Sequence, residues 1–183
     1  MKILTGRFKH TEIPFKPQPG LRPTSDRVRK AIMDSLMGGW EGASVLDLYS
    51  GTGALGLEAV SAGAAGAVFV ESDRRRADAI EGVVEKLGIS DNCRVERSDV
   101  LSALESLKKR GAAFDRVFAD PPYEKGLAIK TLEFFADGSA LKPGAWITIE
   151  TYKKEPLPDV VGRLQRRRNT AYGDTAVHYY VLV

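Results

Sequence analysis

Apolar positions along this chain follow two rhythms. Short apolar runs at 43–48, 67–70, 93–96, 114–119 and 145–149 read as strands buried on both faces, the fourth interrupted by Asp115 and Arg116. Between them the apolar residues recur at helical spacing. Leu55, Leu57, Ala59 and Val60 open a helix behind the first strand, and Ala77, Ile80, Val84 and Leu87 form the inward stripe of a helix over 74–87. Further helices are predicted over 100–109 and 127–135. A turn at Lys142-Pro143-Gly144 precedes the fifth strand. The last stretch, 164–183, alternates around a turn at Tyr172-Gly173-Asp174 and reads as a hairpin closing the sheet. Five strands alternating with helices, followed by an antiparallel pair, predict a seven-stranded doubly wound α/β sheet in three αβα layers. Its ligand belongs at the carboxyl ends of the strands.

The first 23 residues contain Gly6, Pro14, Pro17, Pro19, Gly20 and Pro23, too many breakers for a helix. Ile3-Leu4 and Ile13-Pro14-Phe15 can form a short hairpin, and the rest of 1–23 reads as an extended arm ahead of a domain at 24–183. Thr24-Ser25-Asp26 offers helix-capping hydroxyls and a first-turn acid. From there Val28, Ala31, Ile32, Ser35 and Leu36 share one helical face, with Arg27, Arg29 and Lys30 elsewhere around the turn, until Gly38-Gly39 ends the helix.

The first strand runs into Gly51, Gly53 and Gly56, spaced G-x-G-x-x-G at a strand-to-helix turn, the opening of a nucleotide-binding βαβ unit. Glu71 follows 20 residues after Gly51, at the end of the second strand, where a carboxylate accepts hydrogen bonds from ribose hydroxyls. Asp47 lies four residues ahead of the first glycine. A carboxylate there repels a pyrophosphate but suits a ligand with a cationic amino-acid tail, which favours S-adenosylmethionine over NAD. An NAD-dependent oxidoreductase shares the glycines and Glu71, yet has no use for Asp47.

Composition adds bounds. The 183 residues suffice for one domain with a real core, and 43% hydrophobic with 28% charged residues is ordinary for a soluble protein. No run approaches a membrane span, no signal-peptide core is visible, and Cys93 is the single cysteine, so a cytoplasmic location is expected. His10 and His178 are too few for a metal site. Residues 1–30 carry eight Lys and Arg against Glu12 and Asp26, a balance of +6, so the remainder sums to −3 beneath the total of +3. A basic arm on a slightly acidic body suits a polyanion, or is a solvated tail. Arg166-Arg167-Arg168 reads as solvated strand edge.

Two further features carry chemistry. Asp99, at the end of the third strand, is placed either to hydrogen-bond an adenine amino group or simply to cap the next helix. Asp120-Pro121-Pro122-Tyr123 ends the fourth strand. Two prolines force an extended turn there. The Asp120 carboxylate and Pro121 carbonyl can then accept both hydrogens of an exocyclic amine, while Tyr123 offers a π-face to a base taken out of its stack.

Together these motifs resemble the class I S-adenosylmethionine-dependent amino-methyltransferases that carry an (Asp/Asn)-Pro-Pro-aromatic signature. More narrowly the chain resembles the RsmD-type enzymes that methylate guanine N2 in 16S ribosomal RNA. The narrow markers are Gly20-Leu21-Arg22-Pro23-Thr24-Ser25-Asp26-Arg27-Val28-Arg29, Tyr49-Ser50-Gly51-Thr52-Gly53-Ala54-Leu55-Gly56-Leu57-Glu58-Ala59, Glu71-Ser72-Asp73 and the Asp-Pro-Pro-Tyr motif. The resemblance implies a Rossmann-like fold with a short N-terminal extension. It also implies cofactor contacts from Asp47, Tyr49, Gly51, Gly53, Glu71, Asp99, Val100, Arg22 and Thr24, and catalytic roles for Asp120, Pro121, Pro122 and Tyr123. The expected RNA contacts are Arg7, Lys9, Arg22, Arg27, Arg29 and Lys30. S-adenosylmethionine without a metal is the implied cofactor. The expected partner is 16S ribosomal RNA, in the small subunit or an assembly intermediate, met by a monomer and without a membrane. Lys30 departs from the family, which often has Glu there. An adenine or cytosine amino-methyltransferase acting on DNA or another RNA shares the chemistry, and a non-catalytic RNA-binding assembly factor shares the fold.

Overall fold

The computed structural model describes residues 1–15, 25–36, 38–123 and 125–183. The elements, in order, are α1 (Asp26–Ser35), β1 (Ser44–Leu48), α2 (Ala54–Ser61), β2 (Gly66–Val70), α3 (Arg74–Lys86), β3 (Cys93–Glu96), α4 (Val100–Lys109), β4 (Phe114–Ala119), α5 (Leu127–Phe135), β5 (Leu141–Tyr152), β6 (Val160–Val161), β7 (Leu164–Tyr172) and β8 (Thr175–Leu182). They form one sheet in the order β3-β2-β1-β4-β5-β8-β7-β6. β3, β2, β1, β4 and β5 run parallel, and β8, β7 and β6 add antiparallel pairs. The central strands are buried on both faces, which explains their unbroken apolar runs.

Two apolar layers cover the sheet. One is built by α1, α2 and α3 against residues such as Val45, Phe69, Phe118 and Tyr179. The other is built by α4 and α5 against Leu46, Leu48, Val117, Ile147 and Tyr180. The three-layer Rossmann-like α/β expectation therefore holds, but the strand count is eight among the described residues. β6 is two residues long, too short to leave a periodic signal, and its Val160 is 59% exposed. β5 also starts four residues early, at Leu141. The expected turn at Lys142-Pro143-Gly144 is an irregularity inside it, where the pairing of Phe114 with Leu141 is followed by that of Arg116 with Trp146. Pro143 has no N–H to donate, so the extra residues bulge out of the ladder at its exposed side.

The N-terminal hairpin is present as an antiparallel bridge between Lys2 and Glu12, with Ile3 and Ile13 only 1% and 2% exposed. It packs on α2 rather than standing off the body. Glu58 of α2 accepts the backbone N–H groups of Leu4 (2.7 Å) and Thr5 (3.3 Å), and Ser61 accepts that of Phe8 at 2.9 Å. Arg29 corrects the expectation of an RNA contact. It is fully buried, its Nε lies 3.2 Å from the equally buried Glu58, and its Nη2 donates to both Lys2 O (2.7 Å) and Asp26 Oδ1 (3.0 Å). A guanidinium sealed among α1, α2 and the hairpin cannot meet a phosphate backbone.

Candidate active site

The carboxyl ends of β1, β2, β3 and β4 converge on a cleft of about 560 Å³. Asp47 and Tyr49 line it from β1 and the loop behind it, Val70 and Glu71 from β2, Asp99 and Val100 from the β3–α4 junction, and Asp120, Pro121, Pro122 and Tyr123 from the end of β4. Four carboxylates thus meet where the sheet order reverses between β1 and β4, the crevice in which doubly wound sheets bind ligands.

The glycine turn is built by local hydrogen bonds. Ser50 Oγ donates to Asp47 O at 2.6 Å, Ser50 N–H to Val70 O at 3.0 Å, and Gly53 N–H to Ser50 O at 2.7 Å. Tyr49 bends the chain with a φ of 56°, a left-handed conformation unusual for an aromatic residue. Its hydroxyl is 3.1 Å from Thr131 Oγ1 on α5, and burial pushes its ionisation up. Gly51 lines the cleft and its N–H donates to Glu71 Oε2 at 2.8 Å. Gly53 is not among the lining residues. It is the N-cap of α2 at φ 71°, and a Cβ there would sit 3.1 Å from Ile80, so conformation and packing account for it. Gly56 is fixed by helix–strand packing: a Cβ would come within 2.4 Å of the Phe69 ring.

Asp47 is 3% exposed and accepts the Gly56 N–H at 2.9 Å. Burial, with the charges of Asp120 and Glu71 adding to it, pushes its carboxyl up to about 8 despite that hydrogen bond. Glu71 is also buried. Its Oε1 accepts the Asp73 N–H at 2.8 Å and lies 3.1 Å from Arg76, so it ties the glycine loop, β2 and the start of α3 together. The remaining lone pair, on Oε2, is what a ribose hydroxyl could use. Asp99 is exposed and caps α4, accepting from Leu101 N–H (3.0 Å) and Ser102 N–H (3.3 Å), and it lines the cleft while doing so. Both readings of Asp99 are thus compatible. Tyr123 is half-buried, its hydroxyl 3.0 Å from Thr175 Oγ1 at the start of β8 and its ring 6.2 Å from that of Tyr152.

Arg22 and Thr24 lie outside the described residues. Arg7, Lys9, Arg27 and Lys30 are exposed, none of them lining the cleft, and Lys30 pairs with Asp34 at 2.6 Å. Sequence reasoning missed Arg76 and Lys125, both of which line the cleft. Arg76 was hidden in the run Arg74-Arg75-Arg76, where only its position one turn into the helix behind Glu71 marks it. Lys125 is signalled by nothing except its place two residues beyond Tyr123. Among the described residues no cluster of His, Cys, Asp or Glu is arranged to hold a metal ion.

Comparison with known proteins agrees with this geometry. A family model described as conserved hypothetical protein 95 matches residues 1–181. The ribosomal RNA small subunit methyltransferase D of Escherichia coli (strain K12) is 34% identical over 180 residues, covering 98% of this chain and 89% of that protein. The solved structure of the Escherichia coli protein yhhF superposes with a TM-score of 0.86 at 32% identity, over 100% of this chain and 97% of its own. A hypothetical protein from Thermus thermophilus gives 0.83 at 28% identity, over 100% and 99%. With the family model spanning residues 1–181 and a relative 34% identical across 98% of the sequence, this chain belongs to the RsmD-type methyltransferase family.

Proposed function

We propose that this protein transfers a methyl group from S-adenosylmethionine to the exocyclic N2 amine of a guanine in small-subunit (16S) ribosomal RNA. The observation that carries this reading is the placement of Asp120 and Pro121 in the same cleft as Asp47 and Glu71, with Asp47 and Asp120 close enough for their charges to interact. The residues fit the methyl donor. Asp47 sits buried beside the charges of Asp120 and Glu71, and a cationic sulfonium and ammonium relieve that crowding where a pyrophosphate adds to it.

Asp47 is assigned to the amino-acid tail, Glu71 to the ribose and Asp99 to the adenine edge, with Tyr49, Gly51 and Val100 forming the walls. When bound, S-adenosylmethionine supplies a methyl carbon made electrophilic by its sulfonium. The protein's own share is alignment. Asp120 and the Pro121 carbonyl accept the two hydrogens of the guanine amine, Pro122 holds the turn extended, and Tyr123, held by Thr175, stacks on the base. Positioning of this kind contributes up to roughly 7–11 kcal/mol. Asp120 then takes the proton that leaves N2. Arg7, Lys9, Arg27 and Lys30 are assigned to RNA phosphates. The name of the Escherichia coli relative supports the choice of ribosomal RNA. Such a substrate also implies a cytoplasmic protein.

The direct test replaces Asp120 with Ala. Methyl transfer to small-subunit RNA is expected to fall by about 10³-fold or more, while S-adenosylmethionine binding by calorimetry stays within a few-fold of wild type. Full activity would remove Asp120 from the mechanism.

A further inference from the structure

The arginine run of β7 looks like solvated strand edge in the sequence, but its members are sorted by the fold. Arg166 is paired with Tyr180 and Arg168 with Tyr179, and the register shifts between them. In a regular strand, side chains two apart share a face. Here the intervening Arg167 is the extra residue of a bulge, and the two neighbours are sent to opposite faces of the sheet. Arg166 goes to the face covered by α4 and α5, where it donates to Leu157 O at 2.9 Å, lies 3.3 Å from His178 Nδ1 and pairs with Asp159. Arg168 goes to the face covered by α1. Its guanidinium lies 5.7 Å from the centre of the Tyr179 ring, and it donates to Thr170 Oγ1 (3.1 Å) and to Ser35 Oγ on α1 (3.3 Å).

Arg167 and Arg168 are both exposed, and neither has a carboxylate partner among the described residues. Arg168 spends two of its N–H groups on hydroxyls, which fix the guanidinium without neutralising it. Its bond to Ser35 joins β7 to the helix that carries the exposed Arg27 and Lys30. Beyond Arg168 the strand continues four residues, about 13 Å, to Tyr172. After the turn, Thr175 is the residue that holds the Tyr123 hydroxyl. The re-aimed Arg168 thus ties β7 to the last residue of α1, while the far end of the β7–β8 hairpin meets Tyr123 of the cleft.

We infer that Arg167 and Arg168, together with Arg27 and Lys30, form the track that binds the phosphates of the RNA nucleotides flanking the target base. The inference rests on the function proposed above. The cleft's lining sets four carboxylates against Arg76 and Lys125, whereas Arg167 and Arg168 stand exposed outside it, Arg168 fixed by Ser35, Thr170 and the Tyr179 ring.

The test measures binding of a small-subunit ribosomal RNA fragment over a KCl series, with steady-state methylation and calorimetric S-adenosylmethionine binding alongside. For Arg167→Gln/Arg168→Gln, the slope of log affinity against log salt should become shallower by about 1.4, the loss of two single-strand phosphate contacts. KM for RNA should rise about tenfold, with kcat and cofactor affinity near wild type. Arg166→Gln, which removes one charge from the same run on the opposite face, should lower thermal stability and leave the slope alone. An unchanged slope and KM in the double variant, or a slope shallower by about 0.7 in Arg166→Gln, would overturn the track. If the unaltered protein methylates the RNA and the double variant keeps its slope, only the track falls. If the unaltered protein neither binds nor methylates it, the reading of function falls too.

Discussion

At the scale of single residues, the proton on Asp47 is the most informative quantity. Its carboxyl is raised to about 8 by burial and by Asp120 and Glu71, so the free protein holds it protonated at pH 7. A cationic ligand favours the carboxylate, and binding S-adenosylmethionine should therefore release up to about one proton at pH 7, fading above about pH 9. Calorimetric titration in buffers of different ionisation enthalpy measures this, and Asp47→Asn should abolish the release and weaken binding about tenfold or more. The same shift has a sign for stability. Between about pH 4 and 8 the folded carboxyl keeps a proton that the unfolded one has lost, so this residue makes the free protein less stable as pH rises. His178 acts in the opposite direction. Burial, then the neighbouring Arg166, hold its imidazole down at about 4. Arg166 offers only donors, so Nδ1 is the acceptor and Nε2–H donates to Thr151 Oγ1 at 3.1 Å. Below its ordinary value of 6.5 the unfolded state binds a proton that the folded state refuses, and stability is lost as pH falls from 6.5 towards 4. In His178→Gln, urea denaturation curves should lose that acid-side slope.

At the scale of elements, the Arg29–Glu58 pair holds α1, α2 and the N-terminal hairpin as one unit. Both side chains are fully buried, and Glu58 is further bonded to two hairpin N–H groups and the Thr5 hydroxyl. Arg29→Met strands a buried carboxylate and should cost about 3–5 kcal/mol in urea unfolding, while Arg29→Met/Glu58→Gln, which removes the charge and keeps an amide oxygen for the hairpin N–H groups, should recover part of it. The pair also marks where sequence reading ends. The helices over 100–109 and 127–135 and the strands over 93–96 and 114–119 were legible residue for residue, because apolar periodicity and breakers decide them locally. A charge on a helix reads as exposed unless its partner is known, and Arg29 meets Glu58 only after the intervening β1 and its loops have folded back. The bulge at Arg167 is equally invisible, since it depends on the pairing of two strands and not on either alone.

At the scale of the whole molecule, the site was more legible than the surface. Asp47, Gly51, Glu71, Asp99, Val100 and Asp120 to Tyr123 all meet at one cleft because a doubly wound sheet brings every strand end to the same edge, so a motif at a strand's end carries its own spatial address. Arg76 and Lys125 had no such address. The exposed cations are spread over the hairpin, α1 and β7, and only the packed fold says which of them adjoin. The proposed function draws on that asymmetry: it assigns the methyl donor to the strand-end carboxylates and the RNA phosphates to cations outside the cleft. The most direct measurement is mass mapping of modified nucleotides in small-subunit ribosomal RNA from cells lacking this protein, then from the same cells given the wild type or Asp120→Ala. One N2-methylguanine should disappear in the deletion, return with the wild type and stay absent with the variant. An unaltered modification map in the deletion, or restoration by Asp120→Ala, would contradict the proposed function.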